Sequence, residues 1–146
     1  MTREGKVYSF MALEIMIVKN ASKPYWEDPD AFLFGEIDPV EWESFFFNDL
    51  DIKRYTEYNR EDSETYEEYY ASRISSLEKK FPLITGIRDY YEDAFFSKQE
   101  VSGLINEILS LQNVVEGKQS VNFLNQLLAA GEKAIRHDSG ITLVAD

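Results

Sequence analysis

The first patterned stretch of the chain runs from Leu13 to Lys19, where Leu13, Ile15 and Ile17 alternate with Glu14, Met16 and Val18. Period-two alternation rich in β-branched residues predicts a strand, and because both sets are largely apolar, that strand is expected in the interior of a sheet. Asn20 to Asp30 carries Pro24 and Pro29 among polar residues and predicts a loop, followed by a second short strand from Ala31 to Ile37. Asp38, Pro39 and Glu41 have the spacing of an N-cap, a first helical position and the reciprocal partner of a capping box. They predict a helix that carries Trp42, Phe45, Phe46 and Phe47 into the core.

Beyond a polar stretch from Asp49 to Asp62 the spacing changes. Tyr66, Tyr70, Ile74, Leu77 and Phe81 recur at three and four residues, which predicts a long amphipathic helix opened by Ser63 and broken or kinked at Pro82. Leu83, Ile84, Ile87, Tyr90 and Tyr91 continue a helical pattern to Asp93. Ser97 and Glu100 form a second capping box, opening a helix with Val101, Leu104, Ile105, Ile108 and Leu109 on one side. Gly117 marks a loop, and Ser120 is read as the cap of a last helix that carries Val121, Leu124, Leu127, Leu128 and Ile135. That helix closes in the turn His137-Asp138-Ser139-Gly140, and Ile141 to Ala145 reads as a final strand.

These elements define an α+β protein: a small sheet of two or three strands (N-terminal, short second and C-terminal) covered by four or five helices. No repeat or second domain interrupts residues 1–146, so a single domain is expected, and the pattern does not fix the strand order. Residues 1–10 are either an extension or sit before an alternative start at Met11. The apolar run from Tyr8 to Val18 is interrupted by Glu14 and is shorter than the roughly 20 residues that cross a bilayer. It also lacks a convincing small-residue cleavage site, so a cytoplasmic protein without a membrane partner is the expectation.

Composition narrows the chemistry. The 44% hydrophobic and 14% aromatic content is too high for a disordered chain, even at a formal net charge of -12. Absence of cysteine excludes disulfides, thiolate catalysis and cysteine-rich zinc sites. Glycines at 5, 35, 86, 103, 117, 131 and 140 are too dispersed for a phosphate loop or dinucleotide fingerprint. His137 is the only histidine, so paired-histidine metal sites are ruled out, and its place at a helix C-terminus is explained by the helix dipole. No serine lies in a nucleophile elbow. Asn20-Ala21-Ser22 matches a glycosylation acceptor, which carries little meaning without a secretory signal. Carboxylate pairs such as Glu67-Glu68 or Asp28-Asp30 are too numerous to single out a metal or hydrolytic site. No cofactor is called for.

The distribution of charge is more telling. Between Glu27 and Glu68 lie fifteen acidic and three basic residues, a net of -12, while the rest of the chain has twelve of each and sums to zero. Such a segment repels nucleic acid and steers cationic partners inward. The same stretch interleaves its acids with aromatic residues of the kind that anchor interfaces. The candidate partner-binding set is therefore Tyr55, Glu57, Tyr58, Glu61, Asp62, Glu64, Glu68 and Tyr69, with Tyr66 and Tyr70 assigned to the apolar stripe of their helix.

An acidic domain of this size, with a Tyr/Glu-rich segment and no catalytic constellation, resembles the immunity proteins of bacterial toxin systems. The stretches Phe81-Pro82-Leu83-Ile84 and Asp89-Tyr90-Tyr91-Glu92-Asp93, with the ending Gly140-Ile141-Thr142-Leu143-Val144-Ala145-Asp146, also look like small uncharacterised bacterial proteins. The first resemblance implies a non-enzymatic role, binding and neutralising a cationic partner of the nuclease-toxin type; it carries over no functional residue and leaves the oligomeric state open. The alternatives are a carboxylate-dependent hydrolase or metal-dependent enzyme, and a bacterial structural protein without an active site.

Overall fold

The computed structural model describes residues 12–58, 64–87 and 92–145. Its centre is an antiparallel four-stranded sheet of β1 (Leu13–Val18), β2 (Phe32–Ile37), β3 (Ala94–Phe96) and β4 (Gly140–Ala145), in the order β2-β1-β4-β3. Four α-helices accompany it: α1 (Pro39–Glu43), α2 (Tyr66–Glu78), α3 (Lys98–Gln112) and α4 (Lys118–Arg136). The α+β class, the interior position of β1 and three of the strands match the sequence expectation. A fourth strand, β3, which the sequence reading did not include, follows directly after the helical pattern expected up to Asp93.

Alternation in β1 separates the two faces of the sheet. Leu13, Ile15 and Ile17 are buried with Ile141 and Leu143 of β4 against residues from all four helices, forming the main core. Met16 and Val18 point the other way and pack with Ala21, Tyr25, Ala31 and Val144 in a smaller cluster. Each fully buried Ile or Leu of the main core contributes roughly 1.5–3 kcal/mol relative to exposure.

Helix boundaries follow the caps. The Asp38–Glu41 and Ser97–Glu100 boxes form as their spacing demands. α1 does not stay α-helical past Glu43; Ser44–Asp49 continues as a π-turn, which brings Phe45 onto Phe123 of α4, with ring centroids 4.9 Å apart, and stacks Phe46 on Trp42 at 4.8 Å. α2 opens at Thr65, not Ser63, which lies outside the described residues. Thr65 and Glu68 make the reciprocal capping box that Ser63 and Tyr66 cannot. The helix ends at Glu78, before Pro82.

Of the predicted helix from Leu83, the described residues show a single 3₁₀ turn at Ile84–Gly86, and Tyr90 and Tyr91 lie outside the described residues. Glu107 of α3 holds the start of this turn. Its two carboxylate oxygens accept the Leu83 and Ile84 N–H groups at 3.0 and 2.9 Å, capping the N-terminal end of the turn. On α3 the apolar stripe is Val101, Leu104, Ile108 and Leu111, so Leu109, expected inside, is exposed. Ile135 of α4, also expected inside, is exposed as well.

α4 begins at Gly117 and not with Ser120 as its cap. Ser120 lies one turn inside, fully buried, bonded to Ser44 Oγ at 2.8 Å and to the Asp49 carboxylate, which also accepts the Glu116 N–H at 3.2 Å. A carboxylate from the end of the π-turn thus sits beside the start of α4, the helix end where negative charge is favoured. Gly131 lets α3 approach closely, since a Cβ there would lie 2.9 Å from Ile105 Cγ1.

The end of α4 matches its predicted turn, with Asp138 in the left-handed region at φ 51°. Ser139 N–H donates to the Ala134 carbonyl at 2.8 Å and Asp138 N–H to the Ile135 carbonyl at 3.1 Å, the paired bonds of a Schellman closure. His137 is the C-cap, as its position suggested, and its ring meets Phe32 edge-on at 5.4 Å. No helix among the described residues is long and apolar enough to cross a membrane.

Candidate interaction surface

The acidic segment folds around a group of tyrosines. α2 spaces Tyr66, Tyr69 and Tyr70 three and four residues apart, so their rings share one side of the helix. Tyr66 lies 6.0 Å from both Tyr69 and Tyr70, and the short turn at Tyr55–Glu57 adds Tyr55 at 5.4 Å from Tyr66 and Tyr58 at 5.6 Å from it. Tyr58 also lies 5.2 Å from Tyr69.

Their hydroxyls fix the turn to the helix. Tyr66 Oη donates to the Lys53 carbonyl at 2.9 Å, Tyr69 Oη accepts the Lys53 N–H at 2.8 Å, and Tyr58 Oη donates to the Glu64 carbonyl at 2.7 Å. Partial burial raises the Tyr66 phenol above its ordinary value, with further upward contributions from Tyr69, Glu57 and Glu67. Glu57 accepts the Arg54 N–H at 3.1 Å and pairs loosely with its guanidinium at 3.9 Å, while that guanidinium lies over the Phe47 ring. Glu68 serves the α2 cap, and the Thr65 N–H and hydroxyl lower its carboxyl below the usual range.

The candidate residues therefore divide. Tyr58, Tyr69 and Glu68 have intramolecular roles, Tyr55 projects outward at 65% exposure, Glu57 and Glu64 are exposed, and Glu61 and Asp62 lie outside the described residues. Sequence reasoning assigned Tyr66 only to the apolar stripe, whereas it is the half-buried hub of the ring cluster. The helical spacing of Tyr66, Tyr69 and Tyr70 held that signal.

The acids of the segment are mostly in water: of the fifteen between Glu27 and Glu68, ten are exposed, Asp28, Glu41 and Asp49 are half-buried, and the other two are Glu61 and Asp62. Asp28 accepts N–H groups from Lys19 and Asp30; burial pushes its carboxyl up, but these amides, with Asn20 and the Lys19 charge, hold it below its ordinary value. Trp26, next to the acids at 27, 28 and 30, is 73% exposed.

Elsewhere an open cleft of about 290 Å³ lies between the start of α3 and the end of α4, lined by Lys98, Gln99, Ser102, Ile135, Asp138 and Ser139. Lys98 and Asp138 pair across it at 3.4 Å. Among the described residues, no group of three or more His, Asp or Glu side chains is arranged to hold a metal ion.

The fold and this surface define an acidic α+β domain with exposed aromatic residues beside its carboxylates. No protein-family model, curated protein or solved structure matches the chain.

Proposed function

We propose that this chain is a non-enzymatic binding protein for a cationic protein, in the manner of an immunity protein that occludes the active site of a basic toxin. The observation that carries the reading is the exposure of ten carboxylates from the one segment that holds the entire net charge, with Tyr55 and Trp26 projecting among them. Carboxylates speed the approach of a basic partner, and large aromatic side chains supply contact area with few rotamers to fix. The cleft at α3 and α4 holds one carboxylate, already paired with a lysine, which gives no support to a carboxylate hydrolase.

The test is surface-plasmon kinetics against a cationic protein encoded beside this chain's gene. Glu57→Lys with Glu64→Lys should slow association, the effect shrinking as salt rises. Tyr55→Ala should speed dissociation by about 30-fold, corresponding to roughly 2 kcal/mol for an anchor residue. Tyr58 and Tyr69 are poor choices for truncation because their hydroxyls hold the surface together. Rates unchanged in both variants, or no cationic neighbour that binds, would refute the proposal.

A further inference from the structure

β2 is an edge strand: β1 pairs with it on one side, and no described strand lies on the other. An antiparallel edge turns alternate N–H and C=O groups outward, which makes it a template for another chain. Proteins commonly blunt such an edge with lysine or proline. The six residues of β2, Phe-Leu-Phe-Gly-Glu-Ile, contain neither, and Leu33 is 52% exposed; a bulge at Phe34, where the register against Ile15 and Met16 shifts, bends the strand once. Carboxylates stand at both ends instead, with Asp30 before the strand and Glu36 and Asp38 at its close, all three exposed.

We infer that β2 is a docking edge for an extended, basic segment of a partner protein, added as a fifth strand. Six steps of about 3.4 Å set Asp30 and Glu36 roughly 20 Å apart. A six- to eight-residue segment with lysine or arginine at both ends therefore places cations near Asp30 and near Glu36 and Asp38, and an apolar residue beside Leu33. Main-chain hydrogen bonds supply affinity and the alternating side chains supply selectivity. A second copy of this chain is the wrong occupant, because pairing β2 with β2 brings acids against acids. This inference shares with the proposed function only the positive charge of the partner.

The experiment titrates a capped eight-residue peptide alternating lysine and valine into ¹⁵N-labelled protein at low salt. Saturable binding is expected, with outward amides between Phe32 and Glu36 exchanging at least tenfold more slowly. Two N-methylated peptides make the decisive comparison, each blocking one alternate set of amides: one should lose binding and the other should stay within about threefold of the parent. Glu36→Lys, at an exposed position, should weaken the parent peptide at least threefold. Absence of saturable binding, equal behaviour of the two methylated peptides, or protection outside β2 would overturn the assignment; protection at the tyrosine surface would do so while leaving the proposed function standing. Self-association through β2 without peptide would show that the occupant is a second copy.

Discussion

Replacing Gly140 by alanine should be among the most damaging single-methyl changes in this protein. Gly140 starts β4 opposite Val18 of β1, where the chain joining β3 to α3 passes directly over it. A Cβ at this position would meet the Phe96 carbonyl oxygen at 2.4 Å, Lys98 N at 3.2 Å and Ser97 C at 3.2 Å. Optimal non-bonded contact is about 3.5 Å or more, so the carbonyl must retreat by roughly 1 Å. All three atoms are backbone. The β3–β4 ladder through Phe96 and Ile141 holds them on one side and the Ser97 cap of α3 on the other, so no side-chain rotation relieves the clash.

Overpacking of this kind typically costs 1–3 kcal/mol, and with rigid neighbours the expectation is about 3 kcal/mol. At about 3 °C per kcal/mol for a chain of this size, the melting midpoint should fall by roughly 10 °C. Urea unfolding can be followed through the fluorescence of Trp42, a buried reporter whose indole N–H donates to the Ile87 carbonyl at 2.7 Å. Gly35→Ala and Gly86→Ala are the controls, since an added Cβ meets nothing within 4 Å at either position, and both should remain within about 1 kcal/mol of the parent. A Gly140→Ala midpoint within about 0.5 kcal/mol of the parent, at an unchanged denaturant slope, would show that the close approach does not constrain the fold.

Thr142 is buried on the sheet face away from the helices, and its hydroxyl has no hydrogen-bond partner among the described residues, so Thr142→Val should stabilise the protein by about 1 kcal/mol in the same assay; a loss of stability would mean that the hydroxyl is engaged. Asp28 has its folded pKa below the ordinary aspartate value, so the stability it supplies is complete above that ordinary value and lost as pH falls through the folded pKa. Asp28→Asn should accordingly flatten the acid limb of a melting-temperature profile, and an unchanged limb would refute the assignment. Carboxylates of the acidic segment are mostly exposed, with Arg54–Glu57 the ion pair among its described residues, so moderate sodium chloride should raise the melting temperature by screening repulsion; a steady fall would show that the acids are held by favourable pairs.

Local information in the sequence was sufficient wherever the deciding contacts are local. The Asp38 and Ser97 caps, the two-sided apolar alternation of β1 and the turn at His137–Gly140 are written within a few residues, and so is the collection of net charge between Glu27 and Glu68. Even the true start of α2 was legible, because Thr65 and Glu68 have box spacing and Ser63 has no acid three residues on. Of the candidate surface, the acidic and tyrosine-rich character could be read directly. Which tyrosine faces water could not, because Tyr58 and Tyr69 are held by the Glu64 carbonyl and the Lys53 N–H.

Tertiary structure decided the elements whose partners are distant in the chain. Three residues at Ala94–Phe96 become a strand only because β4 presents a free side to pair with them. The turn at Ile84–Gly86 takes its capping carboxylate from Glu107 on α3, and Ser120 is buried one turn inside α4, bonded to the carboxylate of Asp49, 71 residues away. In each case the deciding hydrogen bonds join residues far apart in the chain, beyond the reach of any local pattern.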